Sequence, residues 1–223
     1  MYIRLTNRCN MSCIHCYMRA QKLSKPVPGS DMTTKTYKNA IRIARDRGEF
    51  IALGGGEPTI HPRFWEMLGI ALGADDTEGV WLATNGKKTK TALALAGIAK
   101  GSERFSVALS RDPYHDEIDS RVVETFKRYG LELRDTSRHL SRVGRAADND
   151  IGNDGLCVCG GLVVLPNGDI KPCDCEDAPV IGNVNRGGIS DEFENALNDD
   201  NYRDSECWTD YVRKTKREKE GAM

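Results

Sequence analysis

Three cysteines fall within one short stretch near the start of the chain, Arg8-Cys9-Asn10-Met11-Ser12-Cys13-Ile14-His15-Cys16-Tyr17, spaced C-x3-C-x2-C. Soft thiolates select iron–sulfur or zinc sites, and three on one loop can ligate three irons of a [4Fe-4S] cluster. A cluster held wholly by protein needs four cysteines, so this loop leaves one iron open to a non-protein ligand. Zinc loops more often use C-x2-C pairs, two per site, and the triplet fits that pattern badly. A second candidate is Gly54-Gly55-Gly56-Glu57-Pro58-Thr59, which follows the apolar run Phe50-Ile51-Ala52-Leu53. Consecutive glycines after a strand let a ligand approach bare backbone. Alone the stretch reads as a glycine-rich turn; one strand–helix unit after the cysteine loop, it joins the same site.

The C-terminal third carries five more cysteines: Cys157, Cys159, Cys173, Cys175 and Cys207. Between them, Gly161–Leu165, then Pro166-Asn167-Gly168-Asp169, then Ile170-Lys171-Pro172 read as a hairpin, because Asn-Gly favours a tight reversal. Cysteines flank both hairpin strands, so their thiols can converge at its open end. The two C-x-C pairs could equally hold zinc. Eight cysteines with no export signal point to metal ligation in a reducing cytoplasm rather than to disulfides.

The elements that must position these residues alternate strand and helix. Met1–Thr6 is a short strand leading into the cysteine loop. Thr33–Arg47 reads as a helix, with Tyr37, Ala40, Ile41 and Ala44 at helical spacing. His61–Leu72 is a second, with Pro62 near its start; Lys88–Lys100 is a third and Asp116–Tyr129 a fourth. Strands are predicted at Phe50–Leu53, Val80–Ala83, Phe105–Leu109 and Leu131–Leu133. This rhythm argues for parallel βαβ units. The cysteine loop, the glycine turn, Thr84-Asn85-Gly86 and Ser110-Arg111-Asp112 each follow a strand, where α/β folds place their sites. Too few units are visible for a closed eight-fold barrel. Arg134, Arg138 and Arg142 are spaced by four and would line one face of a helix.

Composition is that of a globular chain, 39% hydrophobic and 29% charged, with a net charge of -1. That balance gives no electrostatic case for nucleic-acid or membrane partners, and no stretch approaches transmembrane length. The chain starts almost at the cysteine loop, so no separate N-terminal recognition domain is expected. Residues 149–155 read as a linker, and Arg213–Glu220 as a solvated, charged tail.

The three-cysteine loop, with its aromatic Tyr17, and the Gly-Gly-Glu-Pro stretch resemble the radical S-adenosylmethionine (radical SAM) superfamily. The resemblance implies an α/β fold, a partial (β/α)6 barrel over residues 1–148. It also implies a small C-terminal β-hairpin and cysteine module over 149–212, which takes in the last barrel strand if that strand falls there, and a tail over 213–223. It implies that Cys9, Cys13 and Cys16 hold a [4Fe-4S] cluster whose open iron binds the amino and carboxylate groups of SAM. Tyr17 would lie beside cluster and adenine, and Gly54, Gly55, Gly56, Glu57 and Pro58 would contact the SAM ammonium through the Glu57 carboxylate and backbone carbonyls. Thr84 and Asn85 would face the same mouth. Ser110 would lie near the ribose or methionine part, and Arg134 against the SAM carboxylate. Ser110-x-Asp112 with His115-Asp116, Gly144-Arg145-Ala146 and the spacing Cys157…Gly168…Cys173 resemble the members with auxiliary-cluster (SPASM or twitch) domains. On that resemblance Cys157, Cys173, Cys175 and Cys207 hold a second cluster, with zinc as the competing occupant. Cys159 is then the spare thiol, either a hydrogen donor to a substrate radical or a packing residue. The implied enzyme cleaves SAM reductively to a 5′-deoxyadenosyl radical and takes a hydrogen atom from a peptide, protein or small molecule, with a flavodoxin or ferredoxin as reductant. The competing reading is a non-catalytic iron–sulfur or zinc protein that relays electrons or binds a partner.

Overall fold

The computed structural model describes residues 1–23, 25–137, 140–154, 161–176 and 178–197. Cys157, Cys159, Cys207, Arg138 and the charged tail lie outside these described residues.

The strands are β1 (Tyr2–Thr6), β2 (Arg8–Cys9), β3 (Gln21–Lys22), β4 (Ile51–Gly55), β5 (Val80–Thr84), β6 (Phe105–Ser110) and β7 (Glu132–Arg134). Four more follow, β8 (Val163–Val164), β9 (Asp169–Lys171), β10 (Gly182–Asn183) and β11 (Gly188–Ile189). The helices are α1 (Thr34–Asp46), α2 (Phe64–Leu72), α3 (Thr89–Lys100), α4 (Ser120–Tyr129), α5 (Arg145–Asp148) and α6 (Asp191–Leu197). One nine-stranded sheet runs β11-β10-β9-β8-β1-β4-β5-β6-β7. From β8 to β7 every pairing is parallel, which makes six strands of an open barrel. The predicted hairpin exists as β8 and β9, with Val164 opposite Ile170. Its first strand is also the sixth barrel strand, pairing Tyr2 with Val163.

Alternation along the strands separates core from cavity. Ile3, Leu5, Ile51, Leu53, Val80, Leu82, Phe105, Val107 and Leu109 are buried in one hydrophobic core with the inner faces of α1 to α4. The intervening Tyr2, Ala52, Gly54, Trp81, Ala83, Ser110, Glu132 and Arg134 line a cavity on the other side of the sheet. The helix side therefore carries the stability, and the other side is left for ligands.

Two predicted helices begin later than expected. Asp119 caps α4 by accepting from the Arg121 amide at 3.0 Å, while residues 112–116 are drawn into a turn around Asp112. Residues Pro58–Ile60 form a single 3-10 turn, and α2 starts only at Phe64, after the His61 ring has accepted the Arg63 amide at 3.1 Å. The arginines expected on one helical face do not share one: Arg134 lies in β7, and Arg142, outside any helix, pairs with Asp150 and Asp154. Among the described residues no helix is long and apolar enough to cross a membrane.

Candidate metal and cofactor site

The cysteine loop is held at its base by the pairing of β2 with β3, which sets Arg8 opposite Gln21 and Cys9 opposite Lys22. Arg8 is almost fully buried and forks onto Asp31, Nε to Oδ1 and Nη2 to Oδ2, both 2.8 Å. Burial pushes the Asp31 carboxylate up, but the Arg8 fork and the Thr6 hydroxyl outweigh it and hold it below the usual range. Cys9, Cys13 and Cys16 all line the cavity and pack with Met11, Met18 and Ala20. Burial pushes the Cys9 thiol up to about 11 and, with the neighbouring Cys9 and Cys16, the Cys13 thiol up to about 12. Mutually crowded thiols of this kind are poor free nucleophiles, and a bound metal deprotonates them outright. Two backbone amides already point at sulfur, Met11 to Cys9 and Ala20 to Cys16, each at 3.4 Å. Three soft donors on one wall, with amides supporting two of the sulfurs, fit a [4Fe-4S] cluster with one open iron.

The glycine turn has a different origin from the one its sequence suggests. A Cβ on Gly54 would meet the Tyr2 hydroxyl at 2.4 Å, on Gly55 the Thr6 carbonyl at 2.3 Å, and on Gly56 the Arg8 carbonyl at 2.1 Å. Gly55 also has φ +129°, closed to other residues. The glycines are thus required by the close approach of β1 and the cysteine-loop base. Glu57 faces the cavity and is also anchored within the protein. It is 1% exposed, and its carboxylate accepts from the Thr59 amide (3.2 Å) and hydroxyl (2.6 Å), the Thr84 hydroxyl (2.8 Å) and the Asn85 amide (2.7 Å). Three of these bonds fall on Oε1 and one on Oε2, so the carboxylate ties the turn to the end of β5 while Oε2 keeps acceptor capacity at the cavity wall. Pro58 opens the 3-10 turn and is buried. Asn85 carries the chain of contacts onward, donating from Nδ2 to Asn10 Oδ1 at 2.8 Å, with Cys9 Sγ at 3.7 Å.

A group that sequence reasoning largely missed stands beside the loop. Asp112 accepts from His115 Nδ1 (2.8 Å), the Tyr114 amide (3.0 Å) and the Thr136 hydroxyl (3.0 Å), and lies 3.2 Å from His15 Nε2. Burial pushes this carboxylate up, yet the two imidazoles hold it far below the usual range. His15 belongs to the cysteine loop itself, so the group pins that loop to the end of β6, where Ser110 lines the cavity. His15 and Asp112 lie too far apart in sequence for spacing to betray the contact.

The cavity measures about 980 Å³ and runs from the three thiols past the glycine turn to Trp81, Glu132 and Arg134. Trp81 donates its indole N–H to Glu132 at 3.2 Å, and the Arg134 guanidinium stands 5.6 Å from the indole centroid. Tyr17 closes another side, donating its hydroxyl to Asp174 at 2.8 Å, and Asp174 also pairs with Arg4. Burial raises the Tyr17 hydroxyl well above its usual range. The structure therefore brings Cys9, Cys13, Cys16, Tyr17, Gly54, Gly55, Gly56, Glu57, Thr84, Asn85, Ser110 and Arg134 to one cavity. Cys173 and Cys175 are not among its lining: Cys173 is 1% exposed within the main core and Cys175 packs partly buried against it. Asp174, between them, is the residue of that segment that reaches the cavity.

Residues 3–166 match the family described as the Radical SAM superfamily. Mycofactocin maturase MftC of Mycobacterium tuberculosis (strain ATCC 25618 / H37Rv) is 34% identical over 119 residues, covering 53% of this chain and 28% of that protein. The 7,8-dihydro-6-hydroxymethylpterin dimethyltransferase of Methanocaldococcus jannaschii is 30% identical over 142 residues, covering 58% of this chain and 28% of that protein. The chain thus spans less than a third of the length of these curated relatives. Among solved structures, BtrN in complex with AdoMet and 2-DOIA superposes with a TM-score of 0.56 at 16% identity, over 87% of this chain and 83% of that one. Native anSMEcpe with bound AdoMet and Cp18Cys peptide gives 0.53 at 17% identity, over 82% and 76%. At these identities the two likenesses speak for the fold.

Proposed function

Because the chain belongs to the radical SAM superfamily, we propose that it is an enzyme that binds a site-differentiated [4Fe-4S] cluster through Cys9, Cys13 and Cys16 and SAM in the adjoining cavity. When bound, the reduced cluster and SAM supply a 5′-deoxyadenosyl radical that abstracts a hydrogen atom from the substrate. The observation that carries the reading is the meeting of the three thiols, Cys9 buried and Cys13 and Cys16 partly so, and the Gly54–Glu57 turn on one cavity wall. The protein's own part is to position and to exclude water. The Glu57 carboxylate and backbone carbonyls of the turn receive the SAM ammonium. Arg134, which has no ion-pair partner among the described residues, takes the SAM carboxylate through its planar fork. Thr84 and Asn85 hold the turn against the loop, Ser110 lies beside the ribose or methionine part, and Tyr17 walls the adenine side.

Cys157, Cys173, Cys175 and Cys207 form one auxiliary metal site, with an iron–sulfur cluster preferred over zinc on the β8–β9 hairpin between them. Cys159 is the spare thiol. The substrate is a peptide, a protein or a small molecule. The two structural likenesses name both a peptide and 2-DOIA, so the fold does not choose between them. A flavodoxin or ferredoxin supplies the electron.

Replacing Cys9, Cys13 and Cys16 together by alanine tests the reading. The triple variant is expected to lose the SAM-responsive cluster while keeping C-terminal metal, measured as iron, sulfide and zinc per chain. Unchanged iron in that variant would remove the three-cysteine loop from the site.

A further inference from the structure

Arg145 donates to three backbone carbonyls of the cysteine loop and the segment that follows it. The Arg145 amide donates to the Cys16 carbonyl at 2.9 Å. Its Nε donates to the Cys13 carbonyl and its Nη1 to the Ala20 carbonyl, both at 2.9 Å. Asn149 Nδ2 reaches the Ile14 carbonyl at 3.2 Å, and Asp148 pairs with Arg19. Gly144 sits at φ 58°, ψ -134°, and a Cβ there would strike the Tyr17 carbonyl at 2.1 Å. So a single short segment, far away in sequence, fastens the loop at Cys13, Cys16 and Ala20, straddling two of its three thiols.

The guanidinium also matters as a charge. Arg145 lines the same cavity as the three cysteines, and no carboxylate neutralises it among the described residues. Its hydrogen bonds go to neutral carbonyls, so its positive charge remains available to the ligating thiolates nearby. A fixed cation beside a cluster favours the state with the extra electron and so raises the reduction potential. The planar fork that spans two carbonyls is a geometry that lysine lacks.

We propose that Arg145 is the positioning residue of the cluster loop, setting both how firmly the cluster is held and how easily it is reduced. The inference rests on the cluster assignment above, and its test separates the two. R145M removes fork and charge, whereas R145K keeps the charge and loses the fork. Each is reconstituted anaerobically beside the wild-type chain, and three quantities are read: iron and sulfide per chain, the rate of cluster loss to a ferrous chelator, and the cluster midpoint potential.

R145M is expected to lose cluster about tenfold faster, the scale of one or two lost hydrogen bonds, and to show a more negative midpoint. R145K is expected to lose cluster faster as well while keeping the wild-type midpoint. Wild-type loss rates with unshifted midpoints in both variants would overturn the proposal. If R145M fails to fold, R145K decides alone, and a wild-type loss rate there is the overturning result. A wild-type chain that takes up no cluster would instead sink the assignment on which the inference rests.

Discussion

Glu57 shows how a residue in a candidate binding motif can also hold that motif together. Its carboxylate is buried and spent on Thr59, Thr84 and Asn85, and burial raises it above the usual carboxylate range. E57A would strand two hydroxyls and two amides at once, at about 1–3 kcal/mol for the buried groups left unpaired. We expect its thermal midpoint to fall by several degrees even without SAM, a shift of about 2–4 °C per kcal/mol in a chain of this size. An unchanged midpoint in differential scanning would show that these bonds do not hold the turn. The cysteine spacing made Cys9, Cys13 and Cys16 legible, because metal chemistry fixes residue type and interval together. The glycines were legible as a site but not for their reason, since the pressure on them comes from Tyr2, Thr6 and Arg8 across a strand pairing.

The elements of the barrel were readable where periodicity is strong. Helix α1 buries Tyr37, Ala40, Ile41 and Ala44 as its spacing predicts and starts from the Thr33 cap. The starts of α2 and α4 were less so, because side-chain hydrogen bonds of His61, Asp112 and Asp119 claim the preceding residues. The base of the cysteine loop was invisible to pattern reading. There Arg8 and Asp31 join β2 to the segment before α1. The folded Asp31 carboxylate lies below its unfolded value of about 3.9, so its contribution is complete above that value. It is lost as pH falls through the depressed folded one. D31N should abolish this part of the acid sensitivity. It should also cost about 3–5 kcal/mol near neutrality, because the buried Arg8 charge is left without its partner. Urea unfolding of both chains from neutral to acid pH measures this, and parallel stability–pH curves would refute it.

At the scale of the whole molecule, one sheet divides the protein into a packed side and an open side. The six parallel strands present small, polar and aromatic residues to a cavity of about 980 Å³, in the upper range for sites that take drug-sized ligands. The strand–helix rhythm was enough to expect a partial barrel. Which segment supplied the sixth strand was not readable, because Val163–Val164 is only two residues long and earns its place by pairing with β1. That pairing draws the C-terminal hairpin against the barrel and brings Asp174 to Tyr17, so the walls of the cavity come from both ends of the described chain.

The most direct test of the central claim is 5′-deoxyadenosine formation by the reconstituted wild-type chain, reduced anaerobically with dithionite in the presence of SAM. Time-dependent 5′-deoxyadenosine and methionine, absent without dithionite and absent from the Cys9/Cys13/Cys16 triple alanine variant, is the expected result. A fully loaded chain that takes up electrons yet makes no 5′-deoxyadenosine would contradict it and leave an electron relay in its place.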